Sequence, residues 1–108
     1  MILHAVYLSL PDDADHAELV DIMAGLKDLV GKIAGRKALY HGKNIDVENS
    51  SPEANYGFHG AYTDRAALAS YAADPRHQVL GGRLVALCGG ADRIKVYDIE
   101  TARAPQSD

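Results

Sequence analysis

Residues 56–77 read YGFHGAYTDRAALASYAADPRH and contain one strand pattern and two helix-start signals. The aromatic side chains between Tyr56 and Tyr62 alternate with small or polar ones, which predicts a β-strand. Asp64 is a helix-start signal and precedes an apolar stripe that includes Tyr71. Asp74 and Pro75 then suit the N-cap and first residue of a new helix. The stretch therefore predicts a strand followed by a helix that breaks and restarts.

The N-terminal third predicts a strand and an amphipathic helix. The segment Ile2–Leu10 alternates between two faces, both largely apolar, and Pro11 ends it. A helix is expected from about residue 13, with Asp15 and Glu18 at capping-box spacing. Its apolar positions recur at three- and four-residue steps and are Leu19, Ile22, Met23, Leu26, Leu29, Val30 and Ile33. Gly35 is expected to end this helix in a left-handed cap.

The remaining segments complete the pattern. Residues 36–47 alternate as a second strand, and residues 48–55 (ENSSPEAN) are expected to form a mobile polar loop. The helix that restarts at Pro75 is predicted to run to about Cys88, with a bend or close backbone approach at its glycine pair. Its expected buried residues are Val79, Leu80, Leu84, Val85 and Leu87. Residues 93–100 form the last predicted strand, and residues 101–108 a loose polar tail.

The element order β-α-β-β-α-β predicts an α+β fold of the ferredoxin-like type, with a four-stranded antiparallel sheet. We expect residues 1–100 to form a single domain, with the helices on one face of the sheet. The other face carries Tyr7 and Tyr40 beside the doubly apolar first strand. Because exposed apolar surface of this extent usually meets a partner, we predict a homodimer that packs through this sheet face.

Composition excludes several classes of function. A net charge of −4 over 108 residues and the lack of a basic run argue against nucleic-acid binding. No apolar run is long enough to span a bilayer and the N-terminus has no leader pattern, so we expect a cytoplasmic protein without a membrane partner. The single Cys88 excludes an internal disulfide. We expect no metal site and no cofactor, since neither ligand spacing nor a phosphate-binding glycine loop is present.

Several short motifs together resemble the stress-responsive A/B-barrel (Dabb) family. They are His4–Leu8 (HAVYL), Gly42–Asn44 (GKN), the aromatic strand ending at Tyr62, the run from Ala67 to His77 (ALASYAADPRH) and Val96–Asp98 (VYD). The resemblance covers essentially residues 1–100. It implies a dimeric α+β barrel made of two ferredoxin-like halves. Some members are plant stress proteins, and one branch, olivetolic acid cyclase, closes a linear polyketide by aldol chemistry.

The resemblance also implies site residues. A tyrosine and a histidine that serve the cyclising branch fall on Tyr71 and His77, and a histidine of its first strand falls on His4. A further pocket histidine of that branch falls on Tyr56. The position before the proline, commonly histidine in the family, is Asp74. His59 is expected to face the opposite side of the sheet.

Acid–base chemistry gives these residues a physical role. A neutral imidazole can remove a proton next to a carbonyl group while a phenol hydroxyl polarises that carbonyl. We therefore predict His77 and Tyr71 as catalytic residues of a cofactor-free cyclase or lyase. We expect His4, Tyr56 and Phe58 to contact a small apolar or aromatic ligand. Residues six apart on one helix lie about 120° from each other, so the break before Pro75 must bring the pair together.

Other interpretations of the same residues stay open. Tyr71 and His4 also suit a packed core, and His77 suits a polar position in a first helical turn. A non-enzymatic dimer that binds a ligand or serves the stress response is one alternative. A cofactor-independent monooxygenase, by analogy with related dimeric barrels, is another.

Overall fold

Four strands and three α-helices follow one another along residues 1–102, the part of the chain that the computed structural model describes. They are β1 (Ile2–Leu8), α1 (His16–Asp28), β2 (Arg36–Lys43), β3 (Tyr56–Tyr62), α2 (Arg65–Ala73), α3 (Pro75–Cys88) and β4 (Ile94–Glu100). A 3-10 turn at Ala91–Arg93 connects α3 to β4. The prediction of a loose tail falls largely on residues 103–108, which lie outside the described residues.

The strands form one antiparallel sheet in the order β2-β3-β1-β4. This confirms the predicted ferredoxin-like α+β arrangement, with β1 in the centre beside both β3 and β4. In this register His4 lies opposite Gly60 on one side and Asp98 on the other. Directly paired residues point to the same face of a sheet, so this register decides which side chains share the site.

The helices cover the inner face of the sheet and bury one apolar core. On the sheet side the core contains Ile2, Val6, Leu8, Leu39, Phe58 and Tyr62. On the helix side it contains Leu19, Ile22, Met23, Leu26, Ala67, Tyr71, Leu84 and Cys88. Cys88 is a small buried side chain of this core, and burial raises the pKa of its thiol.

The outer face of the sheet carries apolar and aromatic side chains without a covering helix. Tyr40 is 74% exposed, and Leu3, Tyr97 and Ile99 are exposed as well. Tyr7 packs against Tyr97 with ring centroids 6.0 Å apart. We call this surface the outer face below.

The first helix differs from its prediction at both ends. It begins at His16, because Asp15 is the N-cap and accepts hydrogen bonds from the amides of Ala17 and Glu18. It ends at Asp28, so the prediction that it continues to a cap at Gly35 is wrong. Leu29 and Ile33 still reach the core from the turn that follows, which explains why the apolar period outlasts the helix.

Both predicted strand ends before the polar loops are also corrected. β1 stops at Leu8, and β2 stops at Lys43 instead of residue 47. Side chains of the loop beyond β2 form hydrogen bonds with the backbone at both of its ends. Asn44 Nδ2 donates to the Ala54 carbonyl at 2.7 Å, and Asn55 exchanges two hydrogen bonds of 2.9 Å with the backbone of Leu10.

The close helix–helix approach lies on α1 and not at the glycine pair of α3. A Cβ at Gly25 would lie 2.8 Å from a methyl of Leu80, whereas Gly81 and Gly82 have nothing within 4 Å of that position. The buried positions of α3 are therefore Leu84 and Cys88, with Leu80 partly buried. The prediction of a buried Val79 is wrong, since this side chain is 65% exposed.

Candidate active site

The helix break between α2 and α3 is built by one residue. Asp74 adopts an extended backbone (φ −66°, ψ 126°) that neither helix can continue. Its carboxylate accepts from the Arg76 amide at 2.8 Å and so caps α3, while its own amide donates to the Tyr71 carbonyl. The Arg76 guanidinium also pairs with this carboxylate and lowers the pKa of Asp74 to about 2.

This break brings Tyr71 and His77 together. Their ring centroids lie 4.0 Å apart with the planes inclined by 38°. On a continuous helix the two side chains would point about 120° apart, so the contact depends on the extended residue between them. Tyr71 is only 2% exposed, whereas His77 is half-buried and faces solvent with part of its ring.

Strand residues extend the pair into a larger group. The His4 ring lies 5.8 Å from Tyr71 and 6.0 Å from Tyr62, and Tyr62 lies 5.2 Å from Tyr71. We call His4, Tyr62, Tyr71 and His77 the inner aromatic cluster. His4 Nδ1 is 2.5 Å from an Asp98 carboxylate oxygen, a contact that fixes the orientation of the imidazole.

A buried cation lies against this cluster. The Arg36 guanidinium carbon is 4.7 Å from the centroid of the Tyr71 ring, within the range of a cation–π contact. Its Nη1 donates to the Leu26 carbonyl. Arg36 is 3% exposed, and within residues 1–102 neither its Nε nor its Nη2 has a hydrogen-bond partner; the Tyr62 hydroxyl also has none.

Burial sets the protonation states of the cluster. Desolvation lowers the pKa of His77 below its ordinary value of 6.5, so the imidazole is neutral at pH 7. Desolvation raises the pKa of Tyr71 and of Tyr62, so both phenols keep their protons. His77 Nδ1 lies 3.4 Å from the Ala72 carbonyl oxygen, which favours the proton on Nδ1 and a free lone pair on Nε2. The cluster thus combines a neutral base with phenolic donors.

The structure places the other two predicted ligand contacts farther away. Phe58 pairs with Val6 and is a 4% exposed core residue. Tyr56 lies opposite Leu8, four residues along β3 from the Gly60 that faces His4, or about 13 Å away. Its hydroxyl is 2.6 Å from His41 Nδ1.

Two clefts open elsewhere on the surface. One of about 710 Å³ crosses one end of the outer face, where the Tyr7 hydroxyl is 3.0 Å from His59 Nε2. His59 thus faces away from the cluster, as predicted. The second, of about 530 Å³, lies between the end of β1 and the start of α1. Neither is lined by His4, Tyr71 or His77, although Tyr56 borders both.

Comparison with known proteins now identifies the family. The model of the stress responsive A/B barrel domain, Dabb, matches residues 2–101. The chain belongs to the Dabb family. A stress-response A/B barrel domain-containing protein of Arabidopsis thaliana is 25% identical over 97 residues, which are 90% of this Dabb chain and 86% of the relative.

Solved structures share the fold of this Dabb chain. A dimeric ferredoxin-like protein of unknown function from Jannaschia sp. CCS1 is 40% identical, with a TM-score of 0.88 over 93% of this chain and 98% of the other. The hydroxynitrile lyase from Passiflora edulis is 11% identical, with a TM-score of 0.79 over 95% and 94% of the two chains. At that identity the likeness shows the fold alone.

Two features of residues 1–102 bear on partners of the Dabb chain. No helix in this range is long and apolar enough to cross a membrane. Within the same range, no group of three or more His, Cys, Asp or Glu side chains is arranged to hold a metal ion.

Sequence reasoning missed two members of the site, Arg36 and Asp98. Asp98 left a signal, because it lies at the same strand parity as the apolar Ile94 and Val96. Arg36 left none, since a β-bulge after it breaks the alternation that Leu39 follows. The pairing of Asp98 with His4 requires the β1–β4 register, and the contact of Arg36 with Tyr71 requires the placement of α2. Neither the register nor the placement of α2 can be predicted from the pattern of neighbouring residues.

Proposed function

We propose that this Dabb chain is an acid–base catalyst that acts on a small carbonyl compound at the helix break. The observation that carries the proposal is the 4.0 Å contact between His77, a neutral base, and Tyr71, a protonated donor. Tyr71 is buried and His77 is half-buried, so a ligand would enter past the imidazole. That the hydroxynitrile lyase from Passiflora edulis has the same fold is consistent with lyase chemistry on this scaffold.

The proposed step is proton abstraction. His77 Nε2 takes a proton from the carbon next to the carbonyl, and the C–H electron pair moves into an enolate. The Tyr71 hydroxyl donates a hydrogen bond to the carbonyl oxygen as negative charge develops there. Arg36 lies against the Tyr71 ring and adds positive potential, while His4 and Asp98 hold the wall of the cluster. Returning the proton, or attack of the enolate on a second carbonyl, completes the reaction.

A pH profile tests this step. The probe is acetophenone in D₂O, whose methyl protons exchange through the enolate and are followed by NMR. Because burial lowers the pKa of His77, the exchange rate should rise through an inflection below pH 6.5 and stay level above it. Tyr71→Phe should lower the rate by about 10- to 100-fold without moving the inflection. A flat profile, or an inflection that moves in Tyr71→Phe, would contradict the assignment.

Ligand binding without turnover is a second candidate function. The outer-face cleft favours it, because its 710 Å³ and its lining by Tyr7, Tyr40 and Tyr97 suit an apolar or aromatic ligand. On this account the inner aromatic cluster is packing. Binding of acetophenone with no exchange above the buffer rate would support this second candidate.

We further propose that the chain forms a homodimer through the outer face. The exposed Tyr40, Tyr97 and Ile99 give this face its apolar character, and the Jannaschia structure is described as dimeric. Such a dimer would bury the outer-face cleft between two sheets.

Light scattering tests the dimer. The wild type should have twice the chain mass of 11.6 kDa, and Tyr97→Glu should reduce it to 11.6 kDa because a carboxylate would be buried without a partner. Val20→Glu is the matched control, since Val20 is an exposed apolar residue on α1, away from the sheet. A monomeric wild type, or a Tyr97→Glu variant that keeps the wild-type mass, would refute this interface.

A further inference from the structure

Within residues 1–102, three arginines form ion pairs through the same edge of the guanidinium group, and Arg36 does not. Arg65, Arg76 and Arg83 each present Nε and Nη2 to a carboxylate, at distances between 2.6 and 3.1 Å. This edge carries two parallel N–H groups that match the two oxygens of a carboxylate. The pairs Arg65–Glu100 and Arg76–Asp74 lie at the surface, and Arg83–Glu18 is partly buried.

In Arg36 the same edge is buried and has no acceptor in residues 1–102. No acidic side chain of this range lies within 4 Å of its nitrogens, and its one hydrogen bond, to the Leu26 carbonyl, uses Nη1. That carbonyl also accepts from the Leu29 amide, so it does not depend on Arg36. A buried guanidinium with an unpaired edge is costly, because its donors have lost water without gaining a partner.

The polar neighbour of this edge is the Tyr62 hydroxyl, which is neutral; burial raises its pKa, and Arg36 is close enough to lower it in part. The Tyr62 hydroxyl is a further buried group without a partner in the described chain. Asp98 lies beside the cluster, and one oxygen of its carboxylate already contacts His4 Nδ1 at 2.5 Å. Three donor groups with a net positive charge are the complement of an anion with two oxygens.

We propose that Arg36, assisted by Tyr62, binds a carboxylate group of the ligand. Arg36 lies against the Tyr71 ring and both side chains are almost fully buried, so a small molecule that meets Arg36 with its carboxylate and Tyr71 with its carbonyl requires the cluster to open beside His77. The substrate class is then a small keto acid, preferably with an aromatic or apolar body that suits the cluster. This inference rests on the proposed function for the location of the reacting carbonyl, but not for the binding of the anion.

Calorimetric binding of 4-oxo-4-phenylbutanoate and its neutral amide, 4-oxo-4-phenylbutanamide, tests the proposal. The wild type should prefer the acid by about tenfold or more, since a bidentate charged pair is lost in the amide. Arg36→Met should abolish the preference, because the acid loses its charged partner and binds no better than the amide. Arg36→Lys should retain only part of the preference, because an ammonium group has no planar edge. Arg65→Met is the matched control and should keep the wild-type preference.

Three results would overturn the proposal: equal affinity of the wild type for acid and amide, no binding of either compound, or a preference that persists in Arg36→Met. Circular dichroism establishes whether each variant is folded, and methionine is chosen because it replaces a buried charge by an apolar chain of similar length. His77→Ala should retain the preference for the acid. Arg36-dependent binding without any proton exchange would therefore refute the proposed function and leave this inference standing.

Discussion

Replacing His77 by alanine should slow proton exchange from a ketone by about 10²- to 10⁴-fold, the usual contribution of a general base. The imidazole of His77 is neutral at pH 7 and half-buried, whereas Tyr62 and Tyr71 are fully buried. Tyr71 cannot replace it, because burial raises the pKa of that phenol and keeps it protonated. The affinity for the ketone should change much less than the rate, since alanine removes a proton acceptor and leaves the tyrosines in place.

The exchange assay in D₂O measures this effect, with His16→Ala as the matched control. His16 is exposed in the first turn of α1 and contributes nothing to the cluster, so this variant should exchange at the wild-type rate. If His77→Ala exchanges protons at a rate within about threefold of the wild-type rate, His77 is not the base.

Gly35→Ala should lower the free energy of unfolding by about 2–4 kcal/mol. Gly35 has φ +83°, which disfavours any residue with a Cβ. A Cβ there would also lie 2.5 Å from the Ala67 Cβ and 2.6 Å from the Thr63 hydroxyl. Ala67 lies one turn before Tyr71 on α2, so relief of this clash would also move Tyr71.

Gly31→Ala separates the two causes. Gly31 has a similar φ of +86°, but a Cβ there has nothing within 4 Å. Gly31→Ala should therefore lower the free energy of unfolding by only about 1 kcal/mol, through backbone strain alone. Urea unfolding of both variants gives the comparison, and equal losses of stability would show that the contact with Ala67 is unimportant.

The parts of this fold that depend on local pattern were predictable from sequence. The alternation in Ile2–Leu10 and Tyr56–Tyr62, together with the cap signals at Asp15 and Asp74, gives the element order and the helix break. The same break allowed Tyr71 and His77 to face one region, although they lie six residues apart. These features follow from the chemistry of a few adjacent residues, so no tertiary information was needed.

The remaining features depend on tertiary contacts. The apolar period continues through Leu29 and Ile33 whether these residues pack from a helix or from a turn, so pattern alone extended α1 too far. Ile45 and Val47 alternate like a strand, but β3 pairs with β2 only as far as Lys43. The burial of Arg36 could not be anticipated either, because a charged residue at the start of a strand is normally solvated.

The contacts among His4, Tyr71 and His77 favour the inner aromatic cluster as the place of ligand chemistry. Histidine-ring NMR spectra, recorded while 4-oxo-4-phenylbutanoate is added, test it most directly, because the five histidines report on different surfaces. His4 and His77 belong to the cluster, whereas His41 and His59 line the outer-face cleft. We expect shifts at His77 and His4 with His59 unchanged. Shifts at His41 and His59 with His77 unchanged would contradict the account.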